Sequence, residues 1–350
     1  MRVGAKNIVL GSYSFFLSIC FVPFFYGGST NVRWIYLALT TPFFVLLSKL
    51  NKFTILHLIG LLFFIWSIIT VLWSFNQYDS VNQLFNLLVL TQVFVLGSRL
   101  ESLKEIFAGL ALGLGFSSFA VYYLNMPGGL LVNPSMLGEA AILTIIGLIV
   151  YKLWWFIPIV LPSVFTGSRG VLLAGITTLI MWVWSKSKFL ALSLIVPVFI
   201  AGFLSYKFDI RLTSVIERFD LWRDTFNGLS VFGQGVGSYH SAYPYYASLI
   251  DTFKQRPIYA HNDTLNILFE LGIIGAILAI IFIGLLMKEK CNEKYIICCF
   301  ITLSLFSFPF YMPVSAFVLA IVAGFVSRNF NNIFDQSFNS RMVYAQRLSK

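Results

Sequence analysis

The stretch Thr264–Met287, TLNILFELGIIGAILAIIFIGLLM, decides the fold class, because it carries one charged residue, Glu270, in an otherwise apolar run. As a helix rising roughly 1.5 Å per residue, a run of this length crosses a hydrocarbon core of about 30 Å. Stretches of the same kind recur from end to end, at 8–26, 34–50, 53–74, 81–98, 103–124, 136–150, 153–166, 170–185, 188–206, 295–310 and 312–327. In lipid the backbone must satisfy its own hydrogen bonds, so each is read as a helix. Composition agrees: 58% of the chain is hydrophobic and 11% charged, whereas soluble domains are about a quarter charged. The expectation is an all-α polytopic membrane protein with about twelve transmembrane helices, forming a single integral membrane domain over 1–350. The first stretch, Ile8 to Phe25, follows Arg2 and Lys6 like a signal peptide. It lacks a small-residue cleavage site and is followed at once by further spans, which makes it a retained helix.

Charge distribution sets the orientation. A net charge of +10 would suggest nucleic acid in a soluble protein, but here its placement matters more than its size. With twelve spans and the N-terminus inside, sixteen of the 24 lysines and arginines fall on the inner side. The outer ones are Arg33, Arg169, Lys207, Arg211, Arg218, Arg223, Lys254 and Arg256. Six of those eight belong to one long loop, 207–263, which the positive-inside rule discounts. Both termini are expected in the cytoplasm, with 328–350 as a cytoplasmic tail and 207–263 as a large periplasmic loop between spans nine and ten.

Within that loop, Ile216, Phe219, Trp222, Phe226 and Leu229 recur at helical spacing with charges between them. Thr213 or Ser214 can cap the start, so an amphipathic helix at the membrane surface is predicted. Gly233, Gly235 and Gly237 then interrupt regular structure, and Tyr239, Tyr243, Tyr245 and Tyr246 form an aromatic run suited to the interface or to sugar stacking.

Four features on the outer side carry candidate chemistry. Arg169, in Thr166-Gly167-Ser168-Arg169-Gly170, either snorkels to the headgroups or binds a phosphate with its planar fork. Arg211, Arg218 and Arg223 flank the amphipathic helix, where they either pair with Glu217 and Asp220 or together hold a lipid-linked diphosphate. His261, at the entry to the long apolar run, titrates in the range that suits proton transfer near neutral pH. His240 is a weaker candidate, and His57 lies inside an apolar span where packing accounts for it. Glu139 and Glu270 are intramembrane carboxylates, either functional or tying helices together as hydrogen-bonded groups.

Other classes find no support. There is no Walker loop, dinucleotide fingerprint, metal-ligand cluster or DxD-type acidic pair. Cys20, Cys291, Cys298 and Cys299 have neither disulfide nor metal spacing and are read as packing residues.

His261-Asn262, nine residues, then Gly272-Ile273-Ile274-Gly275 resembles the His-Asn-x9-Gly-x-x-Gly signature of the O-antigen ligase family of bacterial membrane glycosyltransferases. Ser168-Arg169-Gly170 resembles the family's Ser-Arg-Gly turn, Glu217-Arg218 with Trp222 its Glu-Arg…Trp segment, and Gly233-x-Gly235-x-Gly237 its glycine turn. Asn133-Pro134 fits a weaker upstream pattern. The matching motifs run from about 133 to 276, and Ala276 stands where the ligase signature usually has Thr, Leu or Val. The resemblance implies transfer of a glycan from undecaprenyl diphosphate, at the periplasmic face of the bacterial inner membrane, to an acceptor hydroxyl. For ligases that hydroxyl belongs to a lipid A–core sugar. No cofactor, metal or nucleic acid is implied, and the partners are the lipid-linked donor, the glycan acceptor and membrane lipids. The implied roles are diphosphate binding by Arg169 and Arg218, helped by Arg211, and proton removal by His261. Asn262, Asp263 and Glu270 would support His261. A polymerase of the same superfamily would use the same site on another carrier-linked repeat unit, and for some relatives the acceptor is a protein Ser or Thr. A flippase or transporter suits twelve spans too, but should line a central path with charges, and only Glu139 and Glu270 lie at membrane depth.

Overall fold

The computed structural model describes residues 3–19, 28–46, 52–126, 128–131, 133–165, 169–192, 213–248 and 257–331. Among these residues the structure is helical, with no strand. The helices are α1 (Val3–Ile19), α2 (Gly28–Leu46), α3 (Ile55–Thr70), α4 (Gln77–Gly97), α5 (Lys104–Tyr123), α6 (Pro134–Val150), α7 (Ile157–Val164), α8 (Arg169–Trp184), α9 (Thr213–Asn227), α10 (Asp263–Lys288), α11 (Lys294–Ser304) and α12 (Pro313–Ser327). Among the described residues, four helical stretches are long and apolar enough to cross a membrane: Ile55–Trp73, Gln77–Gly97, Lys104–Tyr123 and Asp263–Lys288. Shorter apolar helices fill most of the other expected spans, at Ile8–Ile19, Pro134–Val150, Trp154–Val164, Arg169–Trp184, Lys294–Ser304 and Pro313–Ser327.

Several boundaries differ from the hydropathy reading. The second helix, Gly28–Leu46, begins six residues before the expected 34–50, of which 47–50 lie outside the described residues. The eleventh stretch, expected over 295–310, ends at Ser304 and continues as a turn to a short 3-10 segment, Pro309–Tyr311. Pro309 opens that segment and Pro313 opens α12; neither has an N–H to extend a helix from the preceding turn. Most of the ninth expected span, 193–206, lies outside the described residues, as do 207–212, 249–256 and the tail from 332. The amphipathic helix expected at 213–229 is present as α9, Thr213–Asn227.

The core runs between α1, α4, α5, α6, α11 and α12, with Leu17, Phe107, Leu110, Leu143 and Phe317 fully buried. Small residues bring these helices together, the usual solution where lipid removes a hydrophobic drive to associate. A Cβ on Gly109 would stand 2.0 Å from the Gly11 carbonyl oxygen, and one on Gly324 2.0 Å from that of Phe94. Ser14 Oγ donates to the Ile106 carbonyl at 2.8 Å, sealing the α1–α5 crossing. Arg33, buried on α2, donates to the Leu17 carbonyl at 3.1 Å and the Leu130 carbonyl at 2.8 Å. It thereby places a cation at the carbonyl end of α1, where the helix dipole favours one.

Candidate functional site

The site is organised by a break in α10. Gly272 takes φ 66° and ψ −165°, a left-handed conformation inside an otherwise helical run. Such a break frees backbone groups that must be satisfied within the protein, and the glycine loop after α9 does so. Gln234 N donates to the Phe269 carbonyl and Gly235 N to that of Glu270, both at 2.9 Å, while Ile273 N donates to the Val231 carbonyl at 3.0 Å. Trp66 Nε1, on α3, donates to the Leu271 carbonyl at 2.8 Å. The loop lies so close because it carries no side chain at the contact: a Cβ on Gly233 would stand 2.2 Å from the Glu270 carbonyl oxygen.

Glu270, buried at this break, anchors the loop further. Its carboxylate accepts from Gly237 N at 3.0 Å, Tyr239 N at 3.3 Å and Tyr311 Oη at 3.1 Å. Tyr311 Oη also receives Asn266 Nδ2 at 2.7 Å, and Asn266 Oδ1 accepts from Ala260 N at 2.9 Å. The Ala260 carbonyl in turn accepts from Trp222 Nε1 of α9 at 2.9 Å. One continuous chain of hydrogen bonds therefore runs from α9 through residue 260 to the helix break.

His261 sits between these anchors. Its φ is 52°, a left-handed conformation rare outside glycine, held by the bonds on Ala260 before it and the cap formed by Asn262 after it. Asn262 Oδ1 accepts from Leu265 N at 3.0 Å, the N-cap bond of α10, and Nδ2 donates to the Leu305 carbonyl at 3.3 Å. The imidazole lies edge-on to Phe308, with centroids 4.8 Å apart, and among the described residues neither ring nitrogen has a hydrogen-bond partner. Burial, with the Arg218 guanidinium nearby adding repulsion, pushes the imidazole pKa down to about 4. The ring is therefore neutral at pH 7, with a nitrogen lone pair available.

Arg218 comes from α9 and is half-buried. Burial pulls its pKa down and the Glu139 carboxylate counters that. Glu139 comes from α6, whose start is fixed by Asn133 accepting from Ser135 N at 2.8 Å with Pro134 at the first helical position. One Glu139 oxygen accepts from Ser307 Oγ, and the other, Oε2, is buried and has no hydrogen-bond partner among the described residues. Asp263 Oδ2 accepts from Ser304 Oγ at 2.8 Å and Phe310 N at 3.0 Å, while Oδ1 is buried and unbonded. Asp263 lies within electrostatic reach of both Glu139 and Glu270. Among the described residues no three His, Cys, Asp or Glu side chains are placed to hold a metal ion.

The remaining sequence candidates are exposed, lie outside the described residues or are otherwise engaged. Arg169 opens α8 and is exposed. Arg211 lies outside the described residues. Arg223 follows the salt-bridged alternative, pairing with Asp220 at 3.1 Å and Asp224 at 3.4 Å. His240 is exposed, with Nδ1 3.2 Å from the Pro257 carbonyl. Neither Asp263 nor Glu270 hydrogen-bonds to His261. Tyr239 and Tyr243 are buried and stacked on each other at 5.4 Å, leaving Tyr245 as the exposed member, tilted against Phe75 at 4.7 Å. Sequence reasoning missed Asn266, Ser307 and Tyr311. Asn266 had a readable signal, a polar residue one helical turn from Asn262 in an apolar run, but Ser307 and Tyr311 had none.

A family model described as O-antigen ligase matches residues 112–280, which include Arg169, Arg218, His261 and Gly272. No curated protein matches the chain.

Proposed function

With residues 112–280 placing this chain in the O-antigen ligase superfamily, we propose that it is a membrane glycosyltransferase. It moves a glycan from undecaprenyl diphosphate to an acceptor hydroxyl at the periplasmic face of the bacterial inner membrane, and the acceptor is the lipid A–core of lipopolysaccharide. The observation that carries this reading is the placing of Arg218 within electrostatic reach of a neutral His261 on one side and of Glu139 on the other.

In the reaction, the acceptor oxygen bonds to the anomeric carbon as the bond from that carbon to the phosphate oxygen breaks. The electron pair leaves on the diphosphate, and the hydroxyl proton passes to His261. Undecaprenyl diphosphate is an activated leaving group, so the protein's task is to position both substrates and neutralise developing negative charge. Arg218 supplies that charge, with Arg169 and Arg211 as further diphosphate ligands. Arrival of the diphosphate offsets the repulsion between Arg218 and a protonated His261, so the imidazole becomes a stronger base when the donor is bound. Asn262 supports His261 by holding the backbone turn. Asp263 and Glu270 support it by fixing the segments on either side.

The test is the envelope glycan profile of a deletion strain complemented with wild type, His261→Ala, Arg218→Ala or Arg169→Ala. The reading expects unsubstituted core with polymerised glycan accumulating on the lipid carrier, cured by wild type alone. Core bearing a single repeat would identify a polymerase instead, and full activity in the variants would overturn the residue roles.

A further inference from the structure

The end of the bundle away from His261 holds a second polar site. A pocket of about 340 Å³ is lined by Lys52, Thr54, His57, Ser98, Glu101 and Arg328, among others. His57 is its least satisfied group. Nδ1 accepts from Thr54 N at 3.3 Å and meets Thr54 Oγ1 at 2.8 Å, completing the capping box of α3. An Nδ1 that accepts leaves Nε2 as the protonated nitrogen of the neutral ring. That N–H is buried and, among the described residues, has no acceptor, with the residue 7% exposed. A buried donor left unpaired is disfavoured and calls for an explanation.

Two further observations say what would satisfy it. Lys52 and Arg328 line the pocket against one acid, Glu101, and Arg99 lies within electrostatic reach of His57, so the surroundings favour an anion. His57 also lines a second cavity, of about 670 Å³, walled mainly by apolar side chains such as Phe53, Phe64, Phe94 and Phe282 and extending to Asp263 and Thr264 beside the candidate site. A cationic pocket and a mainly apolar cavity that share a lining histidine match the two ends of an amphiphile, a fit that a free phosphate would leave half unused.

We propose that this pocket binds the phosphate headgroup of an anionic membrane lipid, whose acyl chains enter the adjoining apolar cavity. Under the expected topology the lipid comes from the cytoplasmic leaflet. A headgroup oxygen accepts from His57 Nε2, and Lys52 and Arg328 supply the counter-charge. The proposal does not depend on the glycosyl-transfer reading, and its test does not use transfer activity.

The full-length protein in detergent is titrated with phosphatidylglycerol, with phosphatidylcholine of the same chains, and with inorganic phosphate, following thermal unfolding by tryptophan fluorescence. The expected result is a rise in Tm with phosphatidylglycerol that phosphatidylcholine does not match and inorganic phosphate does not reproduce. Lys52 is exposed, so Lys52→Glu should fold, and it should raise the half-saturating phosphatidylglycerol concentration at least about fivefold. Glu101→Gln should lower it, which guards against a trivial loss in the first variant. Equal stabilisation by the two lipids, or unchanged titrations in both variants, would overturn the proposal. Equal stabilisation by inorganic phosphate would replace the lipid with a free ion.

Discussion

Gly233 and Gly272 lie back to back: a Cβ on either would stand 2.5 Å from the amide nitrogen of the other. Both are also left-handed, at φ 77° and 66°, so a side chain at either position meets strain and collision together. We expect Gly272→Ala to cost about 3 kcal/mol, from left-handed strain plus displacement of the loop. Gly284, in the same helix, is the control, because a Cβ there meets nothing within 4 Å. Gly284→Ala should be neutral or slightly stabilising, by up to about 1 kcal/mol. Thermal unfolding of the two variants in detergent checks this, and similar losses in both would mean that the break at Gly272 is not tightly packed.

Trp222→Phe keeps an aromatic ring near Ala260 and removes the one N–H that reaches the Ala260 carbonyl. The stability loss should be about 1 kcal/mol, the net worth of one hydrogen bond. The turnover loss should exceed it in proportion, because residue 260 sets the left-handed turn at His261. Steady-state kinetics beside a melting curve separates the two effects. A fall in Tm with unchanged turnover would show that His261 does not depend on this anchor.

The parts of this fold that could be read from sequence are those governed by local period. Apolar runs gave helices, and the i, i+3, i+4 pattern from Ile216 to Phe226 gave α9 almost to its ends. His261 and Gly272 could be singled out as motif residues, but their roles as a strained turn and a helix break depend on partners far away in the chain. Trp222 reaches Ala260 across 38 positions and Ser307 reaches Glu139 across 168, separations at which no periodicity carries information. The tyrosine run shows the same limit, since spacing alone could not tell buried Tyr239 and Tyr243 from exposed Tyr245. The early end of α11 has a local cause in Pro309, whereas the bonds that Asp263 takes from Ser304 and the Phe310 amide depend on tertiary contact.

The pH dependence of transfer should report the His261–Arg218 relationship. Burial and Arg218 both disfavour the imidazolium and set the pKa at about 4, so the ring is a competent base throughout the range above that value. The acid limb of kcat/KM, which reports the free enzyme, should therefore lie near pH 4, and the limb of kcat should lie higher, because bound diphosphate offsets Arg218. Arg218→Ala removes the smaller cause and leaves burial. Its kcat/KM limb should move up without reaching the ordinary histidine value of about 6.5. His261→Ala should cost about 10²- to 10⁴-fold in turnover. A limb unmoved in Arg218→Ala would show that the two side chains do not interact as argued.

Glu139→Gln tests whether the buried carboxylate serves as the resting counter-ion of Arg218. Glutamine keeps an oxygen for the Ser307 hydroxyl, removes the charge and puts an amide NH2 where the unbonded Oε2 stood. Without that charge, the half-buried guanidinium has no opposing charge among the described residues until, on the proposed reading, the donor arrives. The ligand-free protein should lose about 1–2 kcal/mol, a cost discounted from that of a fully buried broken pair because Arg218 is partly solvated. The donor then becomes the only counter-ion available, so undecaprenyl diphosphate should raise Tm further in the variant than in wild type, and the donor KM should fall. With the donor bound, Arg218 is opposed by the diphosphate alone instead of by the diphosphate and Glu139, which lowers the His261 pKa relative to wild type and slows proton removal, so kcat should fall along with KM. Melting curves with and without undecaprenyl diphosphate, set beside KM and kcat, distinguish this from simple damage, which would lower Tm and weaken donor binding together.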